Sequence, residues 1–223
     1  MNQNGGFLNS IPVVTRNLII INVLCFLAQT VLHQKDIYPE LYCGLNFFFS
    51  DGFMPHQLVT YMFLHGDLWH MFFNMFAVFM FGRTLETVWG PKRFLTYYMI
   101  TGIGAGLTQE LVWVVQCWDF LSDPNIGQMT MGMITIGASG AVFGILLAFG
   151  MLFPNVELIM IPIPIPIKAK YFVIGYGAME LYLGFANNPL DNVAHFAHLG
   201  GLLFGLIVIL YWKKNNKMNG RFY

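Results

Sequence analysis

Residues 137–153 read GASGAVFGILLAFGMLF, an apolar segment with one serine, Ser139, near its beginning and no charged side chain. A membrane helix needs roughly 20 mainly apolar residues, because the hydrocarbon layer is about 30 Å thick and a helix rises about 1.5 Å per residue. We therefore predict a membrane helix that starts near Gly137 and stops before Pro154. The chain has four serines, and Ser139 alone lies in such a segment.

The composition of the whole chain indicates a membrane protein. Of its 223 residues, 57% are hydrophobic and only 10% are charged, whereas typical soluble domains carry about 25% charged residues. A soluble domain with so few charges would expose large apolar patches. The formal net charge is +0, and no polybasic surface suggests nucleic acid as a partner.

Five further apolar segments are long enough to be candidate membrane spans, at about residues 17–32, 68–88, 94–115, 170–186 and 193–212. The proline-rich stretch 162–166 cannot continue a helix and separates two of the spans. We predict an all-α membrane protein with a six-helix bundle over residues 17–212, an N-terminal segment 1–16 and a tail 213–223. The long first loop is partly apolar, so we expect it to lie in the membrane interface.

The basic residues predict how the bundle is oriented. With the N-terminus in the cytoplasm, the inner segments hold ten of the eleven basic residues and the outer segments hold only Lys35, which is a strong positive-inside signal. Both termini are then cytoplasmic, and spans two, four and six begin in the outer leaflet. Three cysteines are too few for a disulfide framework. We leave open a single disulfide bond between Cys43 and Cys117, because both residues fall on the outer side.

Polar side chains occur near the outer ends of those three spans. Span two carries His70 and Asn74, four residues apart and hence on one helix face; span four carries Ser139, and span six carries His195 and His198. Such groups cost free energy at membrane depth unless they are paired or functional. Three helices with polar groups at one level therefore predict a common site.

Glycine spacing favours close contact between spans four and six. Two small-xxx-small pairs lie there, Gly140 with Gly144 and Gly201 with Gly205, and such pairs let helix backbones approach closely. Close approach would allow Ser139 to reach His198 at hydrogen-bond distance, about 2.6–3.2 Å. Each feature alone is also consistent with simple packing, with a serine bonded to its own helix or with a histidine or asparagine that joins two helices.

Taken together, these motifs resemble those of rhomboid intramembrane serine proteases, over nearly the whole chain. The matching residues are Gly137-Ala138-Ser139-Gly140 (GxSG), Ala197-His198 with Gly201 and Gly205 (AHxxGxxxG), His70 with Asn74 (HxxxN), and Gly82, Glu86 and Gly90 at the inner end of the second helix. Two features depart from the family pattern. The first loop has no arginine, and Phe143 stands where some members have a tyrosine.

The resemblance implies six helices around a water-accessible cavity that opens outward, with a serine–histidine dyad and no aspartate. On this hypothesis Ser139 is the nucleophile and His198 is the general base and then the general acid. The oxyanion donors would be the Ser139 backbone N–H, His70 and Asn74, and Phe143 would orient His198. No metal or other cofactor is predicted. Substrates would be transmembrane helices of other proteins that unwind locally near Gly or Pro.

Two other functions stay open at this stage. The chain could be a non-catalytic rhomboid-like protein that binds membrane helices, or a transporter, metal or haem protein that uses His70, His195 and His198. We interpret Glu180, well inside the fifth span, as a partner of a polar group on a neighbouring helix or as an uncharged acid, rather than as a proton or substrate contact. The expected location is a bacterial inner membrane, with an organellar origin left open and the oligomeric state undetermined.

Overall fold

The computed structural model describes residues 10–160, 163–186 and 193–215, and most of these residues are helical. Residues 1–9 of the predicted N-terminal segment and residues 216–223 of the predicted tail lie outside the described residues. The helices are α1 Val13–His33, α2 Glu40–Cys43, α3 Gln57–Thr60, α4 Leu68–Ala77, α5 Arg83–Trp89, α6 Pro91–Gln116, α7 Ile126–Met129, α8 Ser139–Leu152, α9 Ala169–Ala186 and α10 His195–Lys214.

Helices occupy all six segments that the sequence singled out as spans. The second segment is α4 and α5 joined by a π-helical turn, Val78–Gly82, and α1 begins at Val13 rather than near residue 17. Within the described residues, two helices are both long and apolar enough to cross a membrane, Val13–His33 and His195–Lys214. The count of six crossings therefore stays a prediction.

Acidic side chains satisfy the first N–H groups of two helices, one from the residue just before the helix and one from a distant part of the chain. The carboxylate of Asp67 accepts hydrogen bonds from the backbone N–H groups of Trp69 and His70, at 2.8 and 2.9 Å, which starts α4 at Leu68. Glu86 accepts from the backbone N–H of Val14 and from both the N–H and the hydroxyl of Thr15, at 2.7–2.9 Å. Because these N–H groups have no partner inside their own helix, such bonds fix where each helix begins.

Four short strands depart from the predicted all-α fold. β1 (Leu45–Asn46) pairs antiparallel with β2 (Ile134–Thr135), and β3 (Glu157–Met160) pairs antiparallel with β4 (Ile163–Lys168). The proline-rich stretch lies partly in β4, where a two-stranded hairpin leaves an edge that tolerates residues without an N–H. β1 and β2 join the first loop to the chain just before α8, and the backbone N–H of Gly137 donates to the carbonyl of Tyr61 at 2.9 Å.

Glycines bring α6, α8 and α10 into direct contact. A Cβ added to Gly201 of α10 would collide with the carbonyl of Gly140 in α8, and one added to Gly205 would lie 3.4 Å from the Cα of Gly144. A Cβ on Gly144 would itself meet Thr101 of α6, at 2.6 Å. The backbones of α8 and α10 therefore touch at the end that carries Ser139 and His198.

Candidate active site

Ser139 and His198 are in hydrogen-bond contact. Oγ of Ser139 lies 2.7 Å from Nε2 of His198, although the two residues are 59 positions apart in the chain. Ser139 is the first residue of α8, and His198 lies in the first turn of α10. His198 is 8% exposed and Ser139 is half-buried. The geometry is that of a nucleophile beside a general base.

An aromatic ring fixes the plane of the His198 imidazole. Phe143, one turn after Ser139 on α8, stacks on His198 with ring centroids 4.3 Å apart and an interplanar angle of 13°. Tyr176 of α9 packs against Phe143, with ring centroids 5.7 Å apart. Stacking limits rotation of the imidazole, whose Nε2 faces Ser139 of α8 and whose Nδ1 faces Glu180 of α9.

A carboxylate lies at the other nitrogen of the same imidazole. Oε2 of Glu180 in α9 lies 2.9 Å from Nδ1 of His198 and 2.6 Å from Nδ1 of His195. Glu180 is therefore a partner of polar groups on a neighbouring helix, which is one of the two roles considered from the sequence. Phe143 was expected to orient His198, and a buried acid that the sequence analysis did not assign to this role also bonds the ring.

His195 occupies a different place from His198, although both lie on one face of α10. Its Nδ1 bonds Glu180, and its ring centroid is 6.3 Å from that of His198. The hydrogen bond to Ser139 is made by His198. Of the two histidines in the first turn of α10, His198 is thus the one in contact with the serine.

His70 and Asn74 both lie in α4, and the His70 ring comes close to the chain just before Ser139. A Cβ added to Gly137 would lie 2.9 Å from Nε2 of His70 and 3.5 Å from Oγ of Ser139, so this glycine leaves room between the two side chains. The backbone N–H of Gly66 donates to Nδ1 of His70, at 3.4 Å. Asn74 donates to the carbonyl of His70 in its own helix, at 2.9 Å, which uses one of its two amide hydrogens.

His65, which precedes α4, is a neighbour of the site that the sequence did not single out as functional. It is 1% exposed, and its ring packs edge-on against His70 with centroids 5.0 Å apart. Burial lowers the pKa of His65 to about 3. Nearby His70 lowers this pKa further, whereas Asp67 raises it. A neutral His65 therefore supports the His70 ring without adding charge to the site.

The atoms of Glu180, His195 and His198 that could bind a metal all lie within 4.8 Å of one another. Around a tetrahedral zinc ion, a histidine nitrogen and a carboxylate oxygen would stand roughly 3.3 Å apart. The two nitrogen–oxygen distances here, 2.6 and 2.9 Å, are shorter and are those of hydrogen bonds. The cluster is thus arranged as a carboxylate that accepts two hydrogen bonds.

All three cysteines are free, so the disulfide bond that the sequence analysis left open between Cys43 and Cys117 is not formed.

Comparison with known proteins gives a consistent result. The family model described as "Rhomboid domain" matches residues 53–215. The chain is 27% identical over 206 residues to "Putative rhomboid protease YdcA" of Bacillus subtilis, covering 91% of this chain and 92% of that protein. It is 32% identical over 152 residues to "Rhomboid protease AarA" of Providencia stuartii, covering 66% of this chain and 52% of that protein.

A third relative comes from an organelle. "Rhomboid protein 1, mitochondrial" of Saccharomyces cerevisiae is 28% identical over 158 residues, which are 71% of this chain. The match spans 42% of the yeast protein, so this chain corresponds to less than half of that relative.

Proposed function

Because the chain belongs to the membrane-embedded rhomboid family, we propose that it is an intramembrane serine endopeptidase that cleaves transmembrane helices of other proteins. The observation that carries the proposal is the 2.7 Å contact between Oγ of Ser139 and Nε2 of His198. A serine that only packed two helices together would not need an imidazole nitrogen at its hydroxyl. Relatives named as proteases support the same activity.

The reaction follows from the roles of two side chains. His198 accepts the hydroxyl proton at Nε2 as Ser139 Oγ attacks the peptide carbonyl, and a tetrahedral intermediate forms. The C–N bond then breaks, and the imidazolium returns the proton to the leaving amine, which gives an acyl-enzyme. Water then attacks the ester carbonyl as Nε2 takes one of its protons. The C–Oγ bond of the second tetrahedral intermediate breaks, and the imidazolium returns that proton to Oγ, which releases the acid product and free Ser139.

The oxyanion of each intermediate needs hydrogen-bond donors, and we assign this role to three groups. Because the Gly66 N–H donates to Nδ1 of His70, a neutral His70 carries its hydrogen on Nε2, the nitrogen beside Gly137 and Ser139. The second amide hydrogen of Asn74 and the backbone N–H of Ser139 complete the set. Removing one such donor typically costs about 2.7–4 kcal/mol of transition-state stabilisation.

The membrane arrangement is part of the proposal. Six crossings over residues 17–212 and an interfacial first loop would put both termini in the cytoplasm and open the site to the outer side, as the distribution of basic residues predicts. The scissile helix must unwind to reach Ser139, because a helical peptide bond has its carbonyl already engaged. A bacterial inner membrane is the proposed location, and no cofactor is needed for the steps above.

Cleavage of a model transmembrane substrate in detergent tests the proposed function. Two substrates are compared, one with a Gly-Pro weak point in its helix and one with leucines in its place. We expect wild type to cut the first into two fragments and the second far more slowly, and Ser139→Ala to cut neither. Equal cleavage by wild type and Ser139→Ala would contradict the proposal, and binding of the substrates without cleavage by wild type would favour a non-catalytic helix-binding protein.

A further inference from the structure

We propose that Glu180 is a positioning residue for His198, so that this site works as a Glu–His–Ser relay rather than as a dyad. The inference rests on the proposed function and deepens it, because it concerns how the base of that reaction is held. The carboxylate bonds Nδ1 of the same imidazole whose Nε2 bonds Ser139. The three groups thus lie in one chain of hydrogen bonds across α9, α10 and α8.

The first consequence of this arrangement is the tautomer of His198. To take the proton of Ser139, Nε2 must be unprotonated, and a neutral imidazole then carries its hydrogen on Nδ1. An ionised carboxylate only accepts hydrogen bonds, so Glu180 at 2.9 Å favours the hydrogen on Nδ1. The acid therefore selects the tautomer that the base needs, which is the role of the aspartate in a Ser–His–Asp triad.

The second consequence is charge stabilisation. During the reaction His198 becomes an imidazolium. An adjacent anion stabilises that cation more strongly in a buried site than it would at the same distance in water. Glu180 is 5% exposed and His198 is 8% exposed, so both lie away from bulk solvent. The carboxylate thus acts most strongly in the transition state, where the histidine is charged.

His195 completes the surroundings of the carboxylate. It bonds the same oxygen, Oε2, at 2.6 Å, so Glu180 accepts from both histidines of α10. Because His195 and His198 are three residues apart, they lie on the same helix face. Two donors on one oxygen hold the acid against α10 and satisfy a carboxylate that would be costly to bury alone.

The titratable groups near His198 come from four helices. They are Ser139 of α8, Glu180 of α9, His195 of α10, and His70 of α4 on the far side of Ser139, with Tyr176 of α9 behind Phe143. Among the residues that the structure describes, Glu180 is the carboxylate that hydrogen-bonds His198. Changes in the pH dependence after its neutralisation therefore report on this acid.

The test compares cleavage kinetics of wild type, Glu180→Gln and Glu180→Asp across pH, with Glu110→Gln as the matched control. Glu110 is also a buried carboxylate in a long helix, but it accepts from the backbone N–H of Phe48, away from the site. For Glu180→Gln we expect kcat to fall about 10- to 100-fold with KM nearly unchanged. The acidic limb of the kcat/KM profile should move to lower pH, because a neutral amide no longer stabilises the imidazolium that forms during the reaction.

Each remaining variant has a defined outcome. Glu180→Asp should show an intermediate rate and an acidic limb at an intermediate pH, because a carboxylate remains at a greater distance. Glu110→Gln should keep the acidic limb at the pH of wild type. If Glu180→Gln fails to fold, the Glu180→Asp profile decides. An unmoved acidic limb in the variant that folds overturns the inference, as does an equal loss of rate in Glu110→Gln.

Failure of this inference can be told from failure of the proposed function. If wild type cleaves substrate, Ser139→Ala does not, and Glu180→Gln matches wild type in rate and limb, then the relay is wrong and the protease remains. If wild type and Ser139→Ala behave alike, the proposed function itself is wrong.

Discussion

Replacing His198 with alanine is expected to lower kcat about 10⁴- to 10⁶-fold, the scale on which serine proteases lose activity when their base is removed. The reason is that Nε2 of His198 is the atom 2.7 Å from Oγ of Ser139. Without it, the hydroxyl proton has no acceptor, and the leaving amine has no proton donor. KM should change little, because His198 binds the reacting serine rather than the substrate helix. Steady-state cleavage of the transmembrane substrate measures both constants.

The matched control for this prediction is His195→Ala. It removes an imidazole from the same helix face and from the same carboxylate, but not the one that bonds Ser139. A loss within about tenfold is expected, the size of one weakened supporting hydrogen bond. If His195→Ala lost as much activity as His198→Ala, the assignment of the base would be wrong.

Replacing Gly201 with alanine is expected to destabilise the domain by about 1–3 kcal/mol or more. The added Cβ would collide with the carbonyl oxygen of Gly140 and would lie 2.8 Å from the carbonyl carbon of the same residue. A backbone carbonyl inside a helix cannot rotate away, so α10 must move off α8. The same shift separates His198 from Ser139, and a displacement of about 1 Å costs about 10²-fold in rate.

Gly175→Ala is the control for the glycine prediction. Gly175 lies in α9, another long helix, and a Cβ there would meet nothing within 4 Å. The melting temperature of the Gly175→Ala variant in detergent should stay close to that of wild type. Its unfolding free energy should rise by at most about 1 kcal/mol. A Gly201→Ala variant as stable and as active as Gly175→Ala would mean that α8 and α10 are not in backbone contact.

Much of this architecture could be predicted because the relevant signals are local. Runs of apolar residues mark helices, and all six predicted segments are helical. The GxSG and AHxxGxxxG motifs identified Ser139 and His198 because each motif lies within a few residues of chain. The family resemblance agrees with the matched "Rhomboid domain".

The contacts that the sequence did not reveal depend on how helices are rotated against each other or on which strands pair. Glu180 could be recognised as a buried acid, but nothing local indicates that its face of α9 turns toward His198. The same holds for Glu86, whose carboxylate reaches the start of α1, 71 residues away in the chain. The proline-rich stretch was recognised as non-helical, yet its pairing in a hairpin depends on a partner strand that carries no turn motif.

The central claim, that an imidazole activates Ser139, is tested most directly by labelling with a fluorophosphonate and locating the label by mass spectrometry. The probe reacts with an activated serine hydroxyl, so no substrate needs to be identified. The account predicts a label on Ser139, no label in Ser139→Ala, and a labelling rate lowered about 10²-fold or more in His198→Ala. A label on Ser10, Ser50 or Ser122 instead, or an unchanged rate at Ser139 in His198→Ala, would contradict it.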